Sequence, residues 1–254
     1  MHITKFGHSC LLVEEGGARI LIDPGSYSTM QNVVREVDVI LITHEHQDHL
    51  DARSLKVILA NSPEVKIVTN QGAGRVLTGE GIEYQKIGDG ENILIKDVLI
   101  EAFGKDHALI HSSIPVIPNT GFFIANRFFY PGDAFVYPSA PEAPPPGLLK
   151  EAPATYGRTI ANMPLSDYSR SNPFLHAKVG LPKLVEILAL PVTAPWMRSA
   201  EAVDYAAELK PKICIPVHDA MLKDSQMGHR LAKQILEPMG IEVRVLELGE
   251  RVTF

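Results

Sequence analysis

Cysteine is nearly absent from this chain. Its 254 residues include only two, Cys10 and Cys214, far apart in sequence. Two thiols exclude a disulfide framework, and no CxxC pair is present to hold a metal or run redox chemistry. Both are expected to be buried thiols. Tryptophan occurs once, at Trp196. Core packing is its simplest role, and a wall of a substrate pocket is the alternative. Basic residues are outnumbered, 24 Lys and Arg against 30 Asp and Glu, for a formal net charge of -6. Broad nucleic-acid binding usually needs a basic face, so the balance argues against it. No apolar run approaches the length that spans a bilayer. The first residues lack the basic segment and apolar run of a signal peptide. The expectation is therefore no membrane association and, by default, a cytoplasmic location.

What is present describes an ordinary globular protein. Hydrophobic residues make up 45% and charged residues 21%, enough apolar sequence for a sizeable core. No linker separates two units and no tandem repeat is visible. The reading is a single domain over 1–254, with a Pro-rich insertion at about 138–181.

Apolar and β-branched runs predict strands over 2–6, 9–14 and 18–22, with a hairpin turn at Glu15-Gly16-Gly17. The nearly continuous apolar run 37–43 suits a strand buried on both faces. Helical spacing follows over 50–60, with Leu50, Leu55, Ile58 and Leu59 on one side. Further strands are expected over 65–69, 82–87, 92–95, 98–103, 121–126, 128–130, 184–190, 212–217 and 242–248. Helices are expected over 71–78, 200–210 and 226–237. The insertion carries Pro138, Pro141, Pro144, Pro145, Pro146 and Pro153, a density that prevents helix and central strand. A lid or dimer contact, hence a possible homo-oligomer, and a plain insertion are equal readings of it.

The chemistry concentrates at His44-Glu45-His46-Gln47-Asp48-His49. Four potential metal ligands lie within six residues, directly after a buried strand. Histidines at i and i+2 of an extended segment point the same way. The chain then turns, so Asp48 and His49 can face the same space from the other side. Imidazole and carboxylate together suit zinc, manganese or iron. No GxSxG or other nucleophile signature competes with a metal-based reaction.

This hexapeptide resembles the HxHxDH signature of the metallo-β-lactamase superfamily. Leu21-Ile22-Asp23-Pro24-Gly25, Tyr130-Pro131-Gly132-Asp133 and Ile215-Pro216-Val217-His218 resemble three further motifs of that family, in the same order. The resemblance implies an α/β fold, a four-layer αββα sandwich with two mixed sheets between helices. It implies a dinuclear site: His44, His46 and a middle histidine at one ion, Asp48, His49 and His218 at the other, and Asp133 bridging with a hydroxide. Asp48 would also orient that hydroxide. His107 is favoured as the middle histidine, because it follows the end of a strand, with His111 as competitor. Asp23 is expected to support the site or to cap a turn. His8 either approaches the site or is structural, while His2, His176 and His229 read as surface or packing residues.

The function implied is hydrolysis of a small ester, lactone or phosphodiester with two divalent ions, zinc first and Mn2+ or Fe2+ as alternatives. The segment Ala194-Pro195-Trp196-Met197 resembles metal-dependent hydrolases related to the ascorbate-phosphate lactonase-like branch. A nuclease of the same fold and a non-catalytic metal-binding protein are the competing readings.

Overall fold

The computed structural model describes residues 1–29, 33–139 and 183–254. The expected insertion, beyond its first two residues, and His176 lie outside the described residues.

Two seven-stranded sheets form the middle of the molecule. The first contains β1 (His2–Lys5), β2 (Leu11–Glu15), β3 (Ala18–Ile22), β4 (Val39–Ile42), β5 (Lys66–Thr69), β6 (Gln85–Lys86) and β14 (Arg251–Thr253). The second contains β7 (Asn92–Ile95), β8 (Val98–Phe103), β9 (Gly121–Ile124), β10 (Phe128–Tyr130), β11 (Ile187–Pro191), β12 (Ile213–Val217) and β13 (Glu242–Val243). Their orders are β14-β1-β2-β3-β4-β5-β6 and β13-β12-β11-β10-β9-β8-β7. Each sheet is antiparallel on one side and parallel on the other. In the first, pairing turns parallel from β3 to β4 onward. In the second it turns parallel from β10 to β11 onward.

Helices α1 (Ala52–Asn61), α2 (Gln71–Gly79), α3 (Ser199–Leu209) and α4 (Gln226–Leu236) cover the outer faces. The layers can be read from period-two alternation. Val39 and Leu41 join the core between the sheets, with Ile20, Ile22, Ile100, Phe122 and Ile215. Ile40 and Ile42 point the other way and pack with Leu55, Ile58 and Leu77 of α1 and α2. Leu188 and Leu190 pack outward against Val203, Ala206 and Leu236. The apolar run 37–43 is continuous because β4 is buried on both faces.

The fold is the αββα sandwich. Two sequence expectations need correcting. The strand predicted over 242–248 is paired only at Glu242–Val243, against Ile213–Cys214 at the start of β12, and by Leu248 the chain has left that sheet to bridge Lys5 of β1. The predicted strand at 82–87 shrinks to Gln85–Lys86. β14 was not foreseen. It pairs at the sheet edge with β1, where a three-residue strand carries no usable pattern. Cys10 and Cys214 are free and buried, as their sequence context suggests. Burial pushes the Cys214 thiol up to about 12.

Candidate metal centre

The strands that carry the histidines and carboxylates end at one edge of the sandwich. His44, His46, Asp48 and His49 follow β4, His107 follows β8, Asp133 follows β10 and His218 follows β12. The chain breaks its regular geometry there. Asp23, His218 and His8 have φ of 45°, 58° and 46°, in the left-handed region that ordinary side chains avoid. Such outliers survive where surrounding contacts over-determine them.

Two glycines let the backbones close in. A Cβ on Gly25 would lie 1.9 Å from the backbone oxygen of Asp48. At Gly132, φ is +69°, and a Cβ would lie 2.3 Å from Oδ1 of Asn119. Gly25 thus holds the 46–49 turn against β3, and Gly132 presents Asp133.

The side chains form two groups: His44, His46, His107 and Asp133 in one, and His8, Asp48, His49 and His218 in the other. Within each, the candidate donor atoms lie within 4.8 Å of one another. Asp133 reaches both. Its Oδ1 is 3.2 Å from Nε2 of His49. Its Oδ2 is 3.0 Å from Nε2 of His218 and 3.5 Å from Nε2 of His107. All these residues are buried except His46 and Asp48, which are half-buried. His111 is not brought in: it is exposed and bonds Ser113.

The outward-facing ring nitrogens test whether this cluster suits cations. Nδ1 of His49 donates to Oδ2 of Asp23 at 2.7 Å. Nδ1 of His107 donates to the Ala108 carbonyl at 2.6 Å, and that of His218 to the Thr193 carbonyl at 2.5 Å. The Thr43 hydroxyl donates to Asp23, leaving its oxygen to accept Nδ1–H of His44 at 2.9 Å. In the neutral ring each proton is thereby fixed on Nδ1, and Nε2 is the nitrogen left for a metal or, in its absence, a second proton. The Nε2 atoms of His49, His107 and His218, together with Oδ1 of Asp133, are buried and make no hydrogen bond. Unbonded buried acceptors are costly. Convergent lone pairs whose far nitrogens are tied to carbonyls or carboxylates are the arrangement metal-binding histidines adopt. Nε2 of His44 and Nδ1 of His46 stand 3.1 Å apart, close to the ~3.4 Å between two nitrogens on a tetrahedral zinc. The residues fit divalent cations.

Electrostatics agree. Burial alone would raise the Asp133 carboxyl, but His49 and His218 outweigh it and hold it well below the usual range. Burial opposes charge on His218, yet Asp133 and Asp48 raise it to about 9. Burial pushes His44 well below its ordinary value, with the neighbouring His49 adding to the effect. These shifts set a pH dependence for chelator-treated protein. A histidine whose folded pKa exceeds its unfolded value, about 6.5, stabilises fully below that value and ceases to as pH rises through its folded pKa. For His218 the loss falls between about 6.5 and 9. The carboxylates have the opposite sign: they contribute fully above about 4 and lose this only as pH falls through their depressed folded values, so they are constant above pH 7. The melting temperature of metal-free protein should therefore fall steadily from pH 7 to pH 9.5. A calorimetric series that is flat or rising across that range would contradict this.

Residues outside the two groups support the cluster. Asp23 accepts the Thr43 backbone N–H and hydroxyl, each at 2.8 Å, besides His49. Asn119 accepts the Asp133 N–H at 3.0 Å and donates to the Pro131 carbonyl at 2.9 Å. Asn70 donates to the Thr43 carbonyl at 2.7 Å while accepting N–H groups at the start of α2. Of these three, the sequence pointed only to Asp23.

Trp196 corrects the packing expectation. Its indole N–H donates to Oδ2 of Asp133 at 2.9 Å, and its ring lies edge-on to His107 with centroids 6.1 Å apart. As the single tryptophan, it should report on the site. Titrating divalent metal into chelated protein should change its emission saturably, and Asp133→Asn should abolish the response. Unchanged emission at full metal loading would place the indole away from the ions.

His229 takes the packing half of its surface-or-packing reading. It is buried and bonds Asp219, which also accepts Lys5 Nζ at 2.6 Å. A cavity of about 600 Å³ lies against this trio, bounded also by His8, Tyr27 and Arg230. None of His44, His46, His107 and Asp133 lines it, so it is not the space between the two groups.

Comparison with known proteins places the fold. A family model described as "Beta-lactamase superfamily domain" matches residues 2–145, more than half of the chain. The chain belongs to the metallo-β-lactamase superfamily. It is 28% identical to Protein Rv0786c of Mycobacterium tuberculosis over 259 residues, covering 100% of both chains. It is 28% identical to a UPF0173 metal-dependent hydrolase of Ignicoccus hospitalis over 264 residues, covering 99% of this chain and 97% of that one. Among solved structures it resembles Igni18, a metallo hydrolase from Ignicoccus hospitalis, with a TM-score of 0.63, 19% identity, and coverage of 100% of this chain and 97% of that one. Among the described residues, no helix is long and apolar enough to cross a membrane.

Proposed function

We propose that this superfamily member is a metal-dependent hydrolase with a dinuclear centre, acting on a small ester, lactone or phosphodiester. His44, His46 and His107 would hold one divalent ion, Asp48, His49 and His218 the other, and Asp133 would join them. The observation that carries this reading is Asp133 facing both groups, among imidazoles whose far nitrogens are tied off. Ions bound there would supply Lewis acidity and make a shared water acidic enough to act as a hydroxide nucleophile near neutral pH. Asp48, half-buried at the edge of the cluster, can orient the attacking water and hold its proton. Trp196 keeps the Asp133 carboxylate aimed between the groups. The names of the relatives support metal-dependent hydrolysis. Zinc is the first choice of ion for this ligand set, with Mn2+ or Fe2+ as alternatives. A cytoplasmic site of action agrees with two free, buried thiols.

The test is metal analysis of purified protein, then turnover with each metal on lactone, ester and phosphodiester substrates, with RNA alongside. Two ions per chain and metal-dependent turnover of a small substrate are expected. Two ions without turnover on any substrate would favour a non-catalytic metal-binding protein. Tight, salt-sensitive RNA binding with cleavage would favour a nuclease.

A further inference from the structure

The second group contains four candidate ligands, His8, Asp48, His49 and His218. Asp133 would add a shared donor, so the second ion would have five protein donors with His8, which crowd out water or substrate, and four without it. The hydrogen bonds around His8 decide between these. Its ring is fully buried, and its Nδ1 accepts the backbone N–H of Ala220 at 3.2 Å. A nitrogen that accepts an N–H carries no proton, so the imidazole proton sits on Nε2. That Nε2–H points at Oδ2 of Asp48, 3.2 Å away. The ring is held in this orientation. It packs at a 4.2 Å centroid distance against His218 and edge-on to Tyr27, and the His8 carbonyl accepts the His218 N–H at 3.1 Å. Turning the ring over would forfeit both of its hydrogen bonds.

We propose that His8 is a positioning residue, a neutral donor that fixes the Asp48 carboxylate, and not a metal ligand. The second ion then takes three side chains from its own group besides the shared Asp133, and His8 does not fill the position left for water or substrate. His44, His49, His107 and His218 bond carbonyls or side-chain oxygens through Nδ1–H and offer Nε2. His8 is the reverse, because a backbone amide rather than a carbonyl faces its Nδ1. This inference rests on the metal reading for its consequence, but the tautomer does not.

Two measurements test it. Two-bond 1H–15N correlation spectra of metal-free protein, with His8 assigned by loss of its signals in His8→Gln, should show the Nε2-protonated neutral form. A proton on Nδ1 would overturn the proposal. Co2+ titration then compares wild type, His8→Gln and His8→Ala by visible absorption. His8→Gln retains an amide N–H able to reach Asp48, and should load both positions with an unchanged spectrum and second-ion affinity within about tenfold. His8→Ala should weaken the second ion by about 10–100-fold and leave the first unaffected. A spectrum in His8→Gln showing one nitrogen ligand fewer would make His8 a ligand. Wild-type affinity in His8→Ala would remove its positioning role. If wild type binds fewer than two ions, the dinuclear reading fails, while the spectra of metal-free protein still decide how His8 bonds.

Discussion

Asp133→Asn is expected to empty the centre. Among the described residues, the carboxylate faces both histidine sets, with Oδ1 3.2 Å from His49 and Oδ2 3.0 Å from His218 and 3.5 Å from His107. Asparagine preserves its volume and its backbone bond to Asn119, so folding should survive. What disappears is the negative charge that would offset the cations of the proposed centre, and one of the two acceptor oxygens becomes a donor. Metal content should drop from two ions to one or none. Hydrolysis should fall by at least about a thousandfold, equivalent to about 4 kcal/mol of transition-state stabilisation. Metal content and rate both within tenfold of wild type would remove Asp133 from the centre.

Asp23→Asn should produce a different failure, in which the protein folds but loses its second ion. The carboxylate accepts three buried protons, from the Thr43 amide, the Thr43 hydroxyl and Nδ1 of His49. Asparagine can keep its oxygen toward the Thr43 amide, as Oδ1 is now. Its NH2 then occupies the place of Oδ2 and faces two groups that previously donated. His49 must accept there, so its proton moves to Nε2, the atom directed at Asp133. A protonated Nε2 cannot bind metal. We expect second-ion affinity to fall by about 100-fold, the upper range for loss of a residue that orients a ligand. The first ion should remain, since His44 still bonds Thr43. Asp23→Ala is less informative. It leaves three buried donors unpaired at about 1–3 kcal/mol each, against a total stability of typically about 5–15 kcal/mol. An Asp23→Asn protein with both ions bound at unchanged affinity would show that Asp23 merely caps a turn.

The relation between sequence and site follows from distances along the chain. The segment 44–49 was legible because its candidate ligands are local and follow an apolar strand. Asp133 and His218 were found through ordered motifs, each at the end of a recognisable strand. The choice of His107 over His111 was favoured by its place at a strand end, and only His107 enters the cluster. Apart from Asp23, the support was not legible. Trp196 lies 63 residues from Asp133, and Ala220 lies 212 from His8. Nothing local to either residue encodes those contacts.

The sequence by itself determined the layers and the cluster's composition. Period-two and helical patterning specify which faces are buried, and local ligand spacing specifies a metal-binding chemistry. Tertiary structure decided which nitrogen of each histidine carries its proton. That depends on whether a carbonyl, carboxylate, hydroxyl or amide from a distant segment faces the ring. It is also why His8 stands among candidate ligands at the site without offering a lone pair to it.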